Sequence, residues 1–353
     1  MAMTTIKRAQ ARQGLLAAAN IKDVARVAGV STATVSHTIN KTRFVSTPTR
    51  QVVTAAMKEL GYYPNLVARS LRNQKSRTIG LLIPDISNFY YTSVAEGVEV
   101  TLRKHGYNVI LSNSHEKPKL EAETIKAYNS LFLAGLILIP ALGRHGYLHR
   151  ALSGTYPVVF VDRKPSGFKG DCVLLDNANA TYEATRLFVE AGHQRIALIT
   201  GDRLLSTTKD RIEGYKRALR EANIAVDERL IKSGAFSHQC GYESTREAVL
   251  DEGATALFFA SDLLTIGALS FLKEEGVKIP DQVAIISCNN FKWCEVTSPA
   301  LSVVEQPSYE VGQKAAEVLM SRIAGREKSK SFEEYRMPTK IILRESFVAG
   351  NKR

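Results

Sequence analysis

From residue 78 onward, short apolar runs alternate with longer segments of helical periodicity, and this alternation constrains the fold more than any other feature. The helical segments are clearest at 90–105, 178–191 and 263–275. Because strands that are apolar throughout must be covered on both faces, the pattern predicts parallel sheets flanked by helices. The predicted strands lie at 79–83, 109–111, 136–139, 158–161, 173–175, 196–199, 257–259 and 283–286.

The length of this region predicts two sheets rather than one. About 270 residues are more than a single doubly wound sheet needs and are enough for two. We therefore predict an α/β domain over 78–345 with two doubly wound parallel-sheet subdomains. One would comprise about 78–162 plus 291–320, and the other about 163–290 plus 321–345. The crevice at the carboxyl ends of such strands is a typical ligand site.

The first 77 residues show no strand alternation and predict a small all-α domain over 21–64. Asn20 can cap a first helix, with Asp23 as the capping-box acid three residues later. Gly29 ends that helix, and Ser31 can cap a second one, which runs through Ile39. A third helix follows and ends before residue 61. Two helices joined by a tight turn that contains glycine are typical of a helix-turn-helix.

Charge is concentrated in this amino-terminal part. The chain has a net charge of +12, of which +11 falls on residues 1–77, where 13 Lys and Arg face only Asp23 and Glu59. Residues 78–353 carry a net charge of +1. A cationic helical domain indicates a polyanionic partner, and phosphate neutralisation favours DNA over a protein partner. Residues 1–20 are predicted to be a basic, disordered leader, with a start-site artefact as the alternative.

The second helix separates into two faces by its spacing. Val35 and Ile39 share the face that would pack against Val24 and Val30. The opposite face is small and polar, which suits contacts with base edges and phosphates. The residues of this predicted reading surface are Ser31, Thr32, Ala33, Ser36, His37 and Asn40.

Residues 65–77 are predicted to form a short hinge helix and a basic linker. Leu71 lies between Arg69 and Arg72, and few apolar residues are near it in the sequence. It could tuck against the core as an ordinary linker residue. Alternatively it could enter the minor groove as an apolar wedge between base steps, with neighbouring phosphate contacts offsetting the cost of unstacking.

These motifs resemble the lactose-repressor (LacI/GalR) family of bacterial transcription regulators. The resemblance rests on Ile-Lys-Asp-Val-Ala at 21–25, Gly-Val-Ser at 29–31, Thr-Val-Ser at 34–36, and Ala-Arg-Ser-Leu at 68–71. It extends from residue 21 to 343, and the helix-turn-helix is most similar to that of the purine repressors. The resemblance implies a homodimer that binds a pseudopalindromic double-stranded DNA operator. Thr32, Ala33, His37 and Arg43 would then read bases, while Leu71 enters the minor groove with Arg72 beside it.

Polar residues follow several of the predicted strands and are candidates for ligand contact. Asp85 and Asn88 come after the first strand, and Asp162 and Arg163 come after the fourth. Ser261 and Asp262 follow one later strand, and Asn289 follows another. Capping of the next helix is an equally good reading for residues of this kind at strand ends.

The resemblance implies a periplasmic-binding-protein-like effector domain whose cleft binds a sugar, a sugar derivative or a related metabolite. Phe89, Tyr90 and Tyr91 would line the cleft on one side, and Trp293 would close it. Two departures argue against a purine as the ligand. Asn289 stands where the family commonly has Asp, and Leu205 stands where purine repressors have an arginine that faces the base. The residues implied on the other side of the cleft are Arg163, Arg211, Phe236 and Asn289.

The sequence predicts neither an enzyme nor a metalloprotein. It contains no P-loop, G-x-G-x-x-G, G-x-S-x-G or H-E-x-x-H motif, and its four cysteines are scattered. We therefore expect no cofactor and no metal. No apolar run is long enough to span a membrane and no signal sequence is visible, so we expect a cytoplasmic regulator rather than a solute-binding protein. The identity of the effector, and whether it induces or corepresses, stays open.

Overall fold

The computed structural model describes residues 19–40, 42–63, 76–152, 156–325 and 331–347. The chain divides into two compact units, Met1–Lys75 and Ser76–Arg353. Most of the leader and the whole predicted hinge helix, with Leu71 and Arg72, lie outside the described residues.

The first unit contains three helices, here called the headpiece: α1 (Ile21–Ala28), α2 (Thr32–Asn40) and α3 (Thr47–Glu59). The predicted capping box is present. Asn20 Oδ1 accepts from the backbone of Asp23 at 3.3 Å, and Asp23 Oδ2 accepts from the backbone of Asn20 at 3.0 Å. Gly29 has φ 63°, the left-handed conformation that ends α1. The core of the headpiece consists of Val24, Ala25, Ala28, Val35, Val53 and Ala56.

The second unit contains twelve strands among its described residues. They are β1 (Thr78–Ile83), β2 (Asn108–Asn113), β3 (Gly135–Leu138), β4 (Val158–Val161), β5 (Asp171–Leu175), β6 (Ile196–Thr200), β7 (Ile231–Ser233), β8 (Ala256–Phe259), β9 (Ala284–Cys288), β10 (Ser302–Glu305), β11 (Glu334–Met337) and β12 (Lys340–Ile342). They form two six-stranded sheets, in the orders β11-β5-β4-β3-β1-β2 and β12-β10-β9-β8-β6-β7. All pairs are parallel except β10 with β12.

Helices cover both faces of each sheet. They are α4 (Phe89–Lys104), α5 (Pro118–Asn129), α6 (Leu148–Ala151), α7 (Asn177–Glu190), α8 (Ser206–Glu221), α9 (His238–Arg246), α10 (Asp262–Glu274), α11 (Trp293–Val296) and α12 (Ser308–Ile323), with short 3-10 and π turns at Glu228–Leu230 and Glu247–Asp251. The prediction of two doubly wound subdomains is therefore confirmed.

Glycine permits the closest helix contact in the first subdomain, between α4 and α12. A Cβ on Gly97 would lie 2.1 Å from the carbonyl oxygen of Tyr309, and one on Gly312 would lie 2.1 Å from that of Val94. Within the described residues, no helix is both long and apolar enough to cross a membrane.

The predicted subdomain boundaries were wrong at three strands. β5 and β11 belong to the first sheet, whereas the prediction placed both in the second subdomain, and β10 belongs to the second sheet. The reason is pairing between distant segments. β5 pairs with β4 on one side and with β11 on the other, and Arg322 of α12 holds this edge through an ion pair to Asp171 at 2.6 Å. The chain thus changes subdomain after β5, after β10 and between β11 and β12.

Candidate functional site

Five of the predicted DNA-reading residues belong to α2, and Ser31 and Arg43 flank it. The five are Thr32, Ala33, Ser36, His37 and Asn40. Ser31, Thr32, Ala33 and Arg43 are exposed, while Val35 on the opposite face is fully buried. Ser31 also caps the helix, since its Oγ accepts from the backbone of Thr34 at 3.1 Å. The start of α2 therefore offers small and polar side chains to a partner.

The other predicted reading residues are held by local hydrogen bonds. Asn40 Nδ2 donates to the Ser36 carbonyl at 2.9 Å and to Ser36 Oγ at 3.2 Å. His37 Nδ1 lies 2.8 Å from Thr42 Oγ1. These bonds restrict the side-chain rotamers at the end of α2 and so fix the shape of the surface before any DNA is bound.

The second unit contains a polar cavity, here called the cleft, at the carboxyl ends of both sheets. Its volume of about 30 Å³ leaves room for one or two water molecules, so the subdomains must separate to admit a metabolite. The lining residues are Asn88, Tyr90, Tyr91, Asp162, Thr207, Arg211, Phe236, Ala260, Ser261, Asp262, Asn289 and Gln306.

The wall from the first subdomain combines an amide, two phenols and a carboxylate. Asn88 caps α4, since its Oδ1 accepts from the backbone of Tyr90 at 2.9 Å, so capping and cleft lining coincide in one residue. The Tyr90 hydroxyl is buried without a hydrogen-bond partner among the described residues. Burial raises the pKa of Tyr90, and the charge of Asp162 raises it further. Burial also raises the pKa of Asp162, against the opposing effect of Arg163 and Arg211.

The wall from the second subdomain contains a cation that makes no hydrogen bond to the described residues, although its charge acts on Asp162. Arg211 is only 5% exposed, yet it makes no hydrogen bond or ion pair with any residue that the structure describes. Asn289 Oδ1 is likewise buried without a partner. Phe236 lies against the backbone at Gly201, where a Cβ would approach its ring to 2.4 Å. Burial raises the pKa of Asp262 at the start of α10.

Four predicted contact residues lie outside the cleft lining. Asp85 accepts from the backbone and the hydroxyl of Ser87, at 2.9 and 2.8 Å, and so serves a turn. Phe89 is exposed, with its ring 5.5 Å from that of Phe291, so Phe291 and not Trp293 supplies the aromatic contact between the subdomains.

The other two, half-buried Trp293 and buried Arg163, are held by contacts within their own subdomains. Trp293 packs against the core of the second sheet. Arg163 is 2% exposed, and both of its Nη atoms donate to protein groups.

Sequence reasoning missed three lining residues: Thr207, Ala260 and Gln306. Asp162 and Ser261, which follow predicted strands, were candidates on that ground and do line the cleft. Thr207 lies one helical turn before Arg211, so helical spacing could have found it. Gln306 follows β10, which was not predicted as a strand.

The cleft can bind a hydroxyl-rich ligand. Carboxylates accept hydrogen bonds from hydroxyl groups, a guanidinium donates to neighbouring oxygens, and an aromatic face packs on the C–H face of a ring. Asp162, Asp262, Arg211 and Phe236 supply these three kinds of contact. Buried groups without partners cost free energy unless a ligand satisfies them.

Known proteins are similar to this chain over nearly its whole length. Residues 20–65 match the family model for bacterial regulatory proteins, lacI family, and 185–347 match the periplasmic binding protein-like domain. A Vibrio atlanticus (strain LGP32) relative, named HTH-type transcriptional repressor PurR, is 35% identical over 322 residues, which cover 88% of this chain and 94% of the relative.

Two solved structures agree with this similarity. A transcriptional regulator CelR–cellobiose complex has 30% identity and a TM-score of 0.71, covering 93% of this chain and 100% of its own. A LacI family transcriptional regulator from Enterococcus faecium with bound ribose has 32% identity and a TM-score of 0.69, covering 78% and 100%.

Proposed function

Because the chain belongs to the lacI family of bacterial regulatory proteins, we propose that it is a repressor whose affinity for operator DNA is set by a small effector in the cleft. The observation that carries the effector site is Arg211, a buried guanidinium that faces the cleft without a partner. A buried unpaired cation is expensive in the free protein, and a ligand that pairs with it recovers that cost.

The effector that fits the lining is a neutral polyhydroxyl compound such as a monosaccharide or a disaccharide. Two buried carboxylates, Asp162 and Asp262, can accept hydrogen bonds from hydroxyl groups, and Arg211 can donate to two neighbouring oxygens of a ligand. A purine fits less well, because Leu205 is buried outside the lining and offers a purine no polar group. Relatives with bound cellobiose and ribose support the sugar class.

At the DNA, Thr32, Ala33, His37 and Arg43 read base edges of one half-site, with Ser31, Ser36 and Asn40 at the phosphates and groove wall. A single nine-residue helix reads only a few base pairs, so a homodimer on a pseudopalindromic operator provides the specificity. The free edge of the first sheet, strand β2, carries exposed Ile110 and Leu111 that a second copy would cover. Leu71 and Arg72 bind the minor groove between the half-sites.

Control of DNA binding follows from opening and closing of the cleft. A sugar that pairs with both walls favours the closed form, and a difference of roughly 1–3 kcal/mol between the two forms changes operator affinity about 5- to 150-fold. The protein acts without catalysis or cofactor, in the cytoplasm and on the nucleoid.

A thermal-unfolding screen of the full chain tests the effector site. The panel contains D-ribose, D-galactose, cellobiose, hypoxanthine and guanine, and we expect one sugar to raise the melting temperature. The same sugar should fail with Arg211→Met and act normally on Arg220→Met, an exposed position of the same helix. Stabilisation by a purine alone would contradict the sugar class.

A gel shift then tests the regulator. With an operator selected from random DNA, the active compound should change the affinity at least fivefold, and scrambling either half-site should abolish specific binding. A compound that binds the cleft without altering operator affinity would contradict effector control.

A further inference from the structure

Arg163 ends β4 at the rim of the cleft, but its hydrogen bonds are directed to the protein. Nη1 and Nη2 donate to Glu116 Oε2 and Oε1 at 2.8 and 2.7 Å, in the bidentate geometry that guanidinium and carboxylate groups favour. Nη1 also donates to the Pro140 carbonyl at 2.9 Å, and Nη2 donates to the Tyr91 hydroxyl at 2.8 Å. Only Nε lacks a partner, 3.7 Å from Asp162 Oδ2.

These bonds join the carboxyl ends of four neighbouring strands of the first sheet. Tyr91 follows β1, Glu116 follows β2, Pro140 follows β3, and Asp162 and Arg163 follow β4. Two of the five, Tyr91 and Asp162, line the cleft, whereas the other three do not. The ion pair therefore lies behind the ligand surface and touches it at two points.

Backbone strain marks the same place. Glu116 has φ 57° and Asp162 has φ 62°, in the left-handed region that costs a non-glycine residue free energy. Such conformations persist where surrounding contacts hold them. Glu116 is held by its side-chain bonds to Arg163 and to the backbone of Leu142 at 2.8 Å, and by its own backbone, which donates to the Pro84 carbonyl at 3.0 Å.

We infer that Glu116 and Arg163 are positioning residues of the cleft, which do not touch the effector but hold the Tyr91 hydroxyl and the Asp162 carboxylate in place to bind it. This inference rests on the proposed function and changes the role that the sequence assigned to Arg163. With four of its five N–H groups turned away from the cavity, Arg163 acts on a ligand through its neighbours. Glu116 does not line the cleft, and its hydrogen bonds to Arg163 join it to the residues that do.

Glu116→Gln in the full chain tests the inference, with Glu123→Gln on the exposed face of α5 as the matched control. Glutamine keeps the shape but loses the charge and one acceptor. We expect the dissociation constants of D-ribose, D-galactose or cellobiose, whichever binds the wild type, to rise about tenfold, equivalent to about 1.4 kcal/mol. In a Tyr91→Phe background the same change should cost about threefold or less, because one of the two held groups is already lost.

Amide hydrogen exchange of the sugar-free protein provides an independent test of the positioning role. Glu116→Gln should accelerate exchange in peptides covering 140–147 and 158–165, and Glu123→Gln should not. If Arg163 contacts the sugar directly, freeing it from Glu116 would leave the sugar affinity unchanged or improve it, and the inference fails. If no sugar binds the wild type, the sugar proposal fails, and the exchange result alone decides the positioning role: unchanged exchange overturns it.

Discussion

Two buried arginines belong to the two subdomains that form the cleft, and their surroundings differ: Arg163 lies behind the first wall, and Arg211 lines the second. Arg163 is 2% exposed and donates to a carboxylate, a carbonyl and a phenol, while Arg211 is 5% exposed and pairs with none of the described residues. Burial opposes the charge of Arg163, but Tyr91, Glu116 and Asp162 outweigh it and keep the pKa of that guanidinium above its usual value. The guanidinium behind the first wall is therefore held by protein groups, whereas that of the second wall is left to bind a ligand.

The difference separates structural from binding arginines on physical grounds. A buried polar group that the protein satisfies contributes to the folded state, whereas an unsatisfied one is a cost that persists only if something else uses it. The sequence does not reveal which arginine is structural and which binds a ligand, since the family resemblance implies ligand contact for Arg163 and Arg211 alike.

Among the substitutions that test the difference between the two arginines, Arg163→Met is expected to have the largest effect. It leaves the Tyr91 hydroxyl and the Pro140 carbonyl unpaired and Glu116 without its cation. We expect the free energy of unfolding to fall by about 3 kcal/mol, measured by urea denaturation at neutral pH. Arg150→Met, at an exposed position of α6, is the control and should change stability by less than about 0.5 kcal/mol. A variant as stable as the wild type would mean that the first wall does not depend on this cation.

Whether the sequence could predict a structural feature depends on how far apart along the chain the residues that determine it lie. The capping box of Asn20 and Asp23 and the turn at Gly29 are set by residues within one helical turn, and the structure confirms them. The family and the two-sheet fold are also confirmed, because motifs and apolar alternation extend along the chain. The placement of β5, β10 and β11 failed because parallel pairing joins segments far apart, and β11, with Glu334 and Arg336 in its four residues, carries no apolar run.

The cleft shows the same limit at the level of single residues. Arg211, Asn88, Asp262 and Asn289 were predicted and do line the cavity. Arg163 was predicted as a contact on equal grounds, but its guanidinium is occupied by a carboxylate 47 positions earlier in the chain. No local pattern indicates that Glu116 reaches it, so only the folded chain separates the two arginines.

The second prediction concerns pH and the first wall. Glu121 is fully buried, accepts from the backbone of Ala141 at 2.7 Å and from the Tyr147 hydroxyl at 2.5 Å, and burial raises its pKa to about 7. Its folded pKa exceeds its unfolded one, so its stabilising contribution is complete below about pH 4.5 and is lost as the pH rises through about 7. Relative to Glu121→Gln, the wild type should lose up to about 1.4 kcal/mol per pH unit across this window.

Urea denaturation of both proteins from pH 5 to pH 8 measures that difference. Burial also lowers the pKa of His145, but this group is present in both proteins and its contribution cancels in the difference. Parallel pH profiles for the wild type and the variant would show that Glu121 keeps an ordinary pKa.

The third prediction concerns the second wall and has the opposite sign to the first. Arg211→Met removes a buried cation that has no hydrogen-bond partner; Asp162 loses the favourable charge of Arg211 but keeps that of Arg163 nearby. We expect the sugar-free protein to gain about 1 kcal/mol in free energy of unfolding. Arg220→Met on the exposed face of α8 should be neutral. A loss of stability similar to that of Arg163→Met would remove the distinction between the two walls.

The smallest effect is expected from an ion pair that joins the two subdomains. Arg336 Nη1 of β11 lies 3.4 Å from Asp210 Oδ2 of α8, and the backbone of Lys164 donates to Ser206 Oγ at 3.0 Å. An exposed ion pair contributes about 0.5 kcal/mol, so Arg336→Met should weaken sugar binding roughly twofold by disfavouring the closed cleft. Arg103→Met breaks an exposed pair with Glu99 within α4 alone, and calorimetric titration should show no change there. Because salt screens exposed charges, the Arg336 effect should disappear at about 0.5 M NaCl, and a twofold loss that persists would indicate that Arg336 acts through packing and not through its charge.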